Sequence, residues 1–294
     1  MLSNLCHRDD LFRFNTDQWA SYEIHATPNS VVFTDPTGRT IDALDASVIL
    51  LWRKPIPHPT EFEAGRPDRT ILSSQLVALL RGIYRTLLPN HQVSLVEPEG
   101  ENRLAKIFQL NTASRYFDVP EWELSNNVSS ISADSTITKM LGTPQLPDGR
   151  IIYTTAVEKE NLCRPFPWFL QESISRGSDV TCVFIAGECF YFRCTYNRSA
   201  ESLDWRTEIG IEGESAWIKI PSEEIGNPDG RIRELMNEWN IHYGRLDFIQ
   251  DTNGKLWFLE CNPNGQFGWL DDRESFWLHK RFLEAVLSKN SRVS

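Results

Sequence analysis

Tyr243-Gly-Arg-Leu-Asp-Phe-Ile-Gln-Asp-Thr-Asn-Gly-Lys-Leu-Trp-Phe-Leu-Glu-Cys-Asn-Pro-Asn-Gly-Gln-Phe267 places two strand-like runs either side of Asn253-Gly254. Asn-Gly is the preferred pair for a two-residue type I′ turn, because both central residues take positive φ. A hairpin closed there sets Thr252 against Lys255, Asp247 against Glu260 and Arg245 against Asn262. Side chains alternate faces along a strand, so Arg245, Asp247, Glu260 and Asn262 share one face. Directly opposed residues bring their Cβ atoms to about 4.5–5.5 Å, where like charges destabilise a sheet. Two facing carboxylates therefore want a cation between them, and the amide oxygen of Asn262 adds a third hard ligand. Such a set suits Mg2+, above all Mg2+ shared with phosphates. The plainer alternative is a pair of solvated acids with Arg245 neutralising one. It accounts for the acids but not for Asn262-Pro-Asn-Gly-Gln266. A longer loop with a glycine bulge would shift the register.

The 294 residues suffice for two or three packed subdomains. A net charge of −10 argues against general nucleic-acid binding, though not against a local basic pocket. None of the six cysteines forms a C-x-x-C pair, so zinc ribbons and thioredoxin-type sites find no support, and free thiols in a reducing cytoplasm are expected. Arg8, Asp9 and Asp10 stand where a signal peptide needs apolar residues, and no run approaches about 18 apolar residues, so no membrane span is expected. The chain contains no P-loop, nucleophile elbow or G-x-G-x-x-G fingerprint.

Along the chain, Ser30–Phe33 and Ser47–Trp52 are β-rich, with a turn at Asp35-Pro-Thr-Gly38 between them. Leu72–Leu88 carries apolar residues at helical spacing. Val93–Val96 reads as a short strand and Glu97–Glu101 as a linker. Asn102–Tyr116 predicts a second helix, broken at Val119-Pro120. Ile151–Val157 and Asp179–Arg193 are the best strand runs beyond it. Pro221–Asp229 reads as a loop, Arg231–Trp239 as a short helix and Glu274–Leu287 as the closing helix. The alternation predicts α+β or α/β architecture.

At the hairpin the chain resembles the ATP-grasp superfamily, whose final strands carry an acidic residue and then Glu-x-Asn as metal ligands. Phe258-Leu-Glu-Cys-Asn-Pro-Asn-Gly-Gln-Phe267 is similar to one branch in particular, the RimK-like maturases that make microviridin-type, or graspetide, ribosomal peptides. Leu51-Trp-Arg-Lys-Pro55, Asn102-Arg-Leu-Ala-Lys106 with Gln109, Phe169-Leu-Gln-Glu-Ser173 and Asp204-Trp-Arg206 resemble further landmarks in the same order. The resemblance implies an α+β ATP-grasp fold in three parts. These are a shortened N-terminal α/β domain over residues 1–97 with a peptide-binding role, a central subdomain over 98–170, and a C-terminal subdomain over 171–294 that holds Mg-ATP. Two departures stand out. Where relatives read Asp-x-Arg after the hinge, this chain has Asp179-Val-Thr181 and lacks that cation. Cys261 replaces the usual aliphatic residue, on the side facing away from the metal.

The same resemblance implies roles. Lys106 and Lys139 would touch the phosphates, Gln171, Glu172 and Ile174 would read adenine, and Asp179 would take the ribose hydroxyls. Arg193 and Arg206 would stabilise charge on the γ-phosphate and the acyl-phosphate, with Asp204 orienting Arg206, since the guanidinium fork is planar and always charged. Asp247, Glu260 and Asn262 would hold Mg2+, and Asn264 and Gln266 would approach the acceptor or a phosphate. Each has a bland alternative: a solvent-facing lysine, a surface ion pair, or a turn cap for Asp179. The implied activity is ATP-dependent ligation through an acyl-phosphate, forming ω-ester or ω-amide crosslinks in a ribosomal precursor peptide that binds by leader and core. A ligase for free amino acids or small acids is the nearer rival, and a nucleotide-binding scaffold without turnover the more distant one. The location implied is cytoplasmic, without nucleic-acid or membrane partners, and the resemblance leaves room for a homodimer.

Overall fold

The computed structural model describes residues 11–50, 68–87, 92–93, 104–131, 136–141, 154–162, 165–194 and 217–288. Its backbone groups into two compact units, Met1–Gly100 with Asp271–Ser294, and Glu101–Leu270.

In the first unit, β1 (Glu23–Thr27), β2 (Ser30–Thr34) and β3 (Thr40–Asp42) form an antiparallel sheet in that order, and β4 (Val48–Ile49) pairs in parallel with β5 (Gln92–Val93). The turn at Asp35 forms as expected. The Asp35 carboxylate accepts the N–H groups of Thr37 and Arg39, and Gly38 takes φ +84°. Helix α1 (Arg69–Leu87) buries Leu76, Leu80 and Ile83 at helical spacing. Val31, Phe33, Ala43 and Ile83 gather into a small core.

The second unit opens with α2 (Lys106–Ala113). It starts later than the expected Asn102 because Ala105 is extended, and the Leu104 carbonyl accepts from the Gln109 side chain at 2.6 Å. Strands β6 (Trp122–Ser125), β7 (Thr136–Thr138), β8 (Thr155–Val157) and β9 (Trp168–Glu172) form an antiparallel sheet in the order β6-β9-β7-β8. A five-stranded antiparallel sheet follows. It is built from β10 (Arg176–Ile185), β11 (Glu188–Cys194), β12 (Trp217–Ile220), β13 (Tyr243–Asp251) and β14 (Leu256–Asn262), in the order β12-β11-β10-β13-β14. Helix α3 (Asp229–Glu238) lies between β12 and β13 in sequence, after a 3-10 turn at Ser222–Ile225 inside the segment expected to be a plain loop.

Helices α2 and α3 share one core with this sheet. Leu110 and Ala113, Ile232, Leu235 and Met236 join Val180, Cys182, Phe184, Tyr191, Leu246, Phe248, Phe258 and Cys261. One face of the sheet is therefore closed by helices. Residues Arg245, Asp247, Glu260 and Asn262 alternate onto the other face and stay half-buried.

The hairpin differs from the expected two-residue turn. Asp251 pairs with Lys255 across Thr252-Asn253-Gly254, and only Gly254, at φ +84°, is left-handed. That is a three-residue loop, a type I turn followed by a glycine bulge. It sets Gln250 against Leu256 and Phe248 against Phe258. Leu259 then bulges out of β14, and the ladder resumes with Asp247 against Glu260 and Arg245 against Asn262. The expected pairing of the polar residues thus arises from two offsets that cancel. The two-residue turn with both φ values positive lies instead at Ala186-Gly187, between β10 and β11.

The closing helix α4 (Trp277–Ser288) belongs with the first unit. Asp271 starts it by accepting the N–H groups of Leu278 and His279, each at 2.9 Å.

Candidate active site

Asp247 and Glu260 face each other across β13 and β14, and the Asn262 amide reaches both. Its Nδ2 lies 3.4 Å from Asp247 Oδ2 and 3.3 Å from Glu260 Oε1. Three polar ends from adjacent strands therefore meet at one point. A half-turn of the amide presents Oδ1 to that point instead of Nδ2. Two carboxylates and one amide oxygen are a partial set of hard ligands, the kind that suits a Mg2+ ion sharing its shell with phosphate oxygens. Among the described residues, no group of three or more His, Cys, Asp and Glu side chains is placed to hold a metal ion.

The outward oxygens of both acids are taken by donors. Glu260 Oε2 accepts from Lys106 Nζ at 3.0 Å. Asp247 Oδ1 accepts from Thr181 Oγ1 at 2.7 Å and Arg245 Nε at 3.0 Å, while Arg245 Nη2 reaches Oδ2 at 2.9 Å. Lys106 beside Glu260 holds that carboxyl well below the usual range, opposed by burial and helped by the charge of Lys139 and the amide of Asn262. Burial works against the charge of Arg245, but Asp247, and after it Glu260, more than offset this and keep the guanidinium above its ordinary value.

Lys106 arrives there through Gln109. One turn further along α2, the buried Gln109 amide donates to the Cys261 carbonyl at 3.0 Å and accepts the Cys261 N–H at 2.7 Å. It replaces one residue of a neighbouring strand at the outer edge of β14. With α2 fixed to that edge, its first residue reaches around to Glu260. Cys261 itself is buried in the core on the helix-covered side, as expected of a residue facing away from the polar set.

The other predicted residues divide. Lys139 lies just beyond β7 and acts electrostatically on Glu260. Asp179 is buried two residues before Thr181, on the same sheet face as Asp247. Gln171 is buried on β9, and its Oε1 has no hydrogen-bond partner among the described residues. Glu172 is exposed at the end of β9, and Ile174 is half-buried just past it. Asn264 is buried, whereas the exposed Gln266 contributes its carbonyl to Arg245 at 3.2 Å. Arg193 pairs with Val180, one residue out of phase with Thr181, so it projects from the helix-covered face, where it binds Glu224 at 2.6 Å. Asp204, Arg206 and the Leu51–Pro55 run lie outside the described residues.

Sequence reasoning missed the roles of Thr181 and Gln109, and saw Arg245 only as a neutralising charge. Strand β10 pairs with β13 over 66 residues of chain, and no local periodicity marks that pairing.

No protein-family model and no curated protein matches the chain. Solved structures do. A RiPP-associated ATP-grasp ligase of Chryseobacterium gregarium, in complex with ADP and a leader and core peptide, matches with a TM-score of 0.77 at 20% identity, over 95% of this chain and 88% of its own. Macrocyclase MdnC of Microcystis aeruginosa MRC, bound with precursor peptide MdnA, matches at 0.74 and 20% identity, over 94% and 90%. The ATP-grasp ligase PsnB, complexed with a minimal precursor, Mg and ADP, matches at 0.64 and 13% identity, over 92% and 86%. The shared backbone across nearly the whole length shows that this chain has the α+β ATP-grasp fold.

Proposed function

We propose that the chain is an ADP-forming ligase that activates a side-chain carboxylate of a ribosomal precursor peptide and joins it to a hydroxyl or amine of the same peptide. The observation that carries this reading is the meeting of Asp247 Oδ2, Glu260 Oε1 and the Asn262 amide beside Lys106, on one sheet face of an ATP-grasp fold. Three matched structures bound to precursor peptides, two of them with ADP, support the substrate class.

Asp247, Glu260 and Asn262 would hold Mg2+, which when bound neutralises charge on the phosphates. Lys106 and Lys139, both acting on Glu260 in the present structure, are the cations at hand for the triphosphate. Gln171, Glu172 and Ile174 are proposed for adenine, Asp179 for ribose, and Arg206 for the acyl-phosphate. The protein's share of the chemistry is positioning and charge stabilisation, so no strong base is required.

The test is ADP release from Mg-ATP on adding a precursor peptide, with mass spectrometry of the product. Peptide-dependent turnover and loss of one water mass per crosslink are expected, and Glu260→Gln should abolish both. Turnover with free amino acids alone would move the reading to a small-substrate ligase. ATP binding without turnover by any acid would leave a scaffold, for which the absence of a cation at Thr181 is the motivating feature.

A further inference from the structure

Asp247 is held on one side only. Each carboxylate oxygen has two lone pairs to offer. Both lone pairs of Oδ1 are used, by Thr181 Oγ1 at 2.7 Å and Arg245 Nε at 3.0 Å. Oδ2 receives Arg245 Nη2 at 2.9 Å and, more loosely, Asn262 Nδ2 at 3.4 Å, a contact that a half-turn of the Asn262 amide would release. Glu260 is divided the same way, with Oε2 given to Lys106 and Oε1 turned toward Asn262. The donors are themselves fixed. Thr181 is 1% exposed. Arg245 gives its third hydrogen bond to the Gln266 carbonyl and lies with its guanidinium carbon 5.8 Å from the centre of the Trp269 ring. Gly265 packs so closely that a methyl group on it would fall 2.6 Å from Arg245 Cβ.

We propose that Thr181 and Arg245 are a positioning pair that makes Asp247 a one-oxygen ligand and thereby sets the site's preference for a small divalent cation. The inference rests on the ligase reading, in which Asp247, Glu260 and Asn262 face the metal. Mg2+ demands near-ideal octahedral geometry at short distance, and a carboxylate locked so that a single oxygen faces the other ligands meets that demand. A carboxylate free to swing can offer both oxygens, which the larger and more flexible Ca2+ shell accepts. Partners behind a ligand tune metal affinity by about 10–100-fold.

The experiment measures binding of a non-hydrolysable ATP analogue to the full chain by calorimetry, with Mg2+ or Ca2+ as the supporting ion. The Mn2+ complex is followed by electron paramagnetic resonance. Thr181→Val and Arg245→Met are expected to weaken Mg2+-supported binding about tenfold while leaving Ca2+-supported binding nearly unchanged. The Mn2+ spectrum should change as well. Thr181→Ser should restore the wild-type preference. Arg245→Lys should fall between, because an ammonium cannot span two oxygens as a guanidinium does. If Arg245→Met does not fold by circular dichroism, Thr181→Val and its serine rescue carry the test. An unchanged Mg2+/Ca2+ ratio, or equal loss with both ions, overturns the positioning pair alone. Wild-type protein that binds the analogue without any divalent ion overturns the ligase reading beneath it.

Discussion

At the scale of the residue, Lys106 with Glu260 and Arg245 with Asp247 are charges that neutralise one another. Lys106 and Glu260 form a pair whose acid stays ionised well below the usual carboxylate range. Stability from such a pair is fully present above the unfolded carboxylate value, near about 4.3, and is lost as pH falls through the depressed folded value. Lys106→Met in metal-free protein should therefore melt lower than wild type at pH 7 and at pH 5, and the gap should close as the pH is taken well below 4. Melting curves at several pH values check this, and a gap that widens in acid would contradict it. Gln109→Ala leaves the N–H and carbonyl of Cys261 without their side-chain partner. A buried orphan group costs about 1–3 kcal/mol, so a loss of that order is expected in urea melts. The acids and Asn262 were legible in the sequence because they fall at fixed spacings within one hairpin, whereas Lys106 was implied only by the resemblance. Thr181 was not legible, because its meaning comes from a strand 66 residues away.

At the scale of the element, two turns decide the geometry of the sheet. The Ala186-Gly187 turn joins β10 to β11 with Ala186 at φ +50°. A left-handed conformation costs a residue with Cβ about 1–2 kcal/mol, partly returned by the extra unfolded-state entropy of glycine. Ala186→Gly should stabilise the chain by roughly 0.5–1 kcal/mol, seen as a raised urea midpoint. The loop after β14 is the opposite case. A methyl at Gly265 would meet Arg245 Cβ at 2.6 Å and the Asn262 carbonyl at 3.1 Å. The loop is further tied down by the Tyr243 hydroxyl on the Gly265 carbonyl. Gly265→Ala should weaken Mg2+-dependent nucleotide binding severalfold while the far-ultraviolet spectrum stays that of wild type. The main helices were legible from periodicity, and the hairpin's pairing at Asp247 was legible too, but Asp179–Arg193, read as one strand run, is two strands joined at Ala186-Gly187. The cause of the hairpin's pairing was not legible, since the extra loop residue and the bulge at Leu259 offset each other and neither leaves a local mark.

At the scale of the whole molecule, ligand and stability are linked. A nucleotide that binds only the folded chain, supplied at a hundred times its dissociation constant, adds about 2.7 kcal/mol. Mg2+ with the ATP analogue should raise the melting temperature by several degrees, EDTA should remove most of the rise, and Glu260→Gln should remove nearly all of it. A rise that survives both treatments would place the nucleotide elsewhere. No helix among the described residues is long and apolar enough to cross a membrane. The outer border of β14 carries one more consequence. Gln109 takes both backbone groups of Cys261, and Asp118 bridges to Trp257 while its carbonyl receives the Phe258 N–H. A border dressed in this way cannot template another strand, so growth of this sheet by β-addition, whether from an arriving peptide or from a second molecule during aggregation, is blocked along that flank.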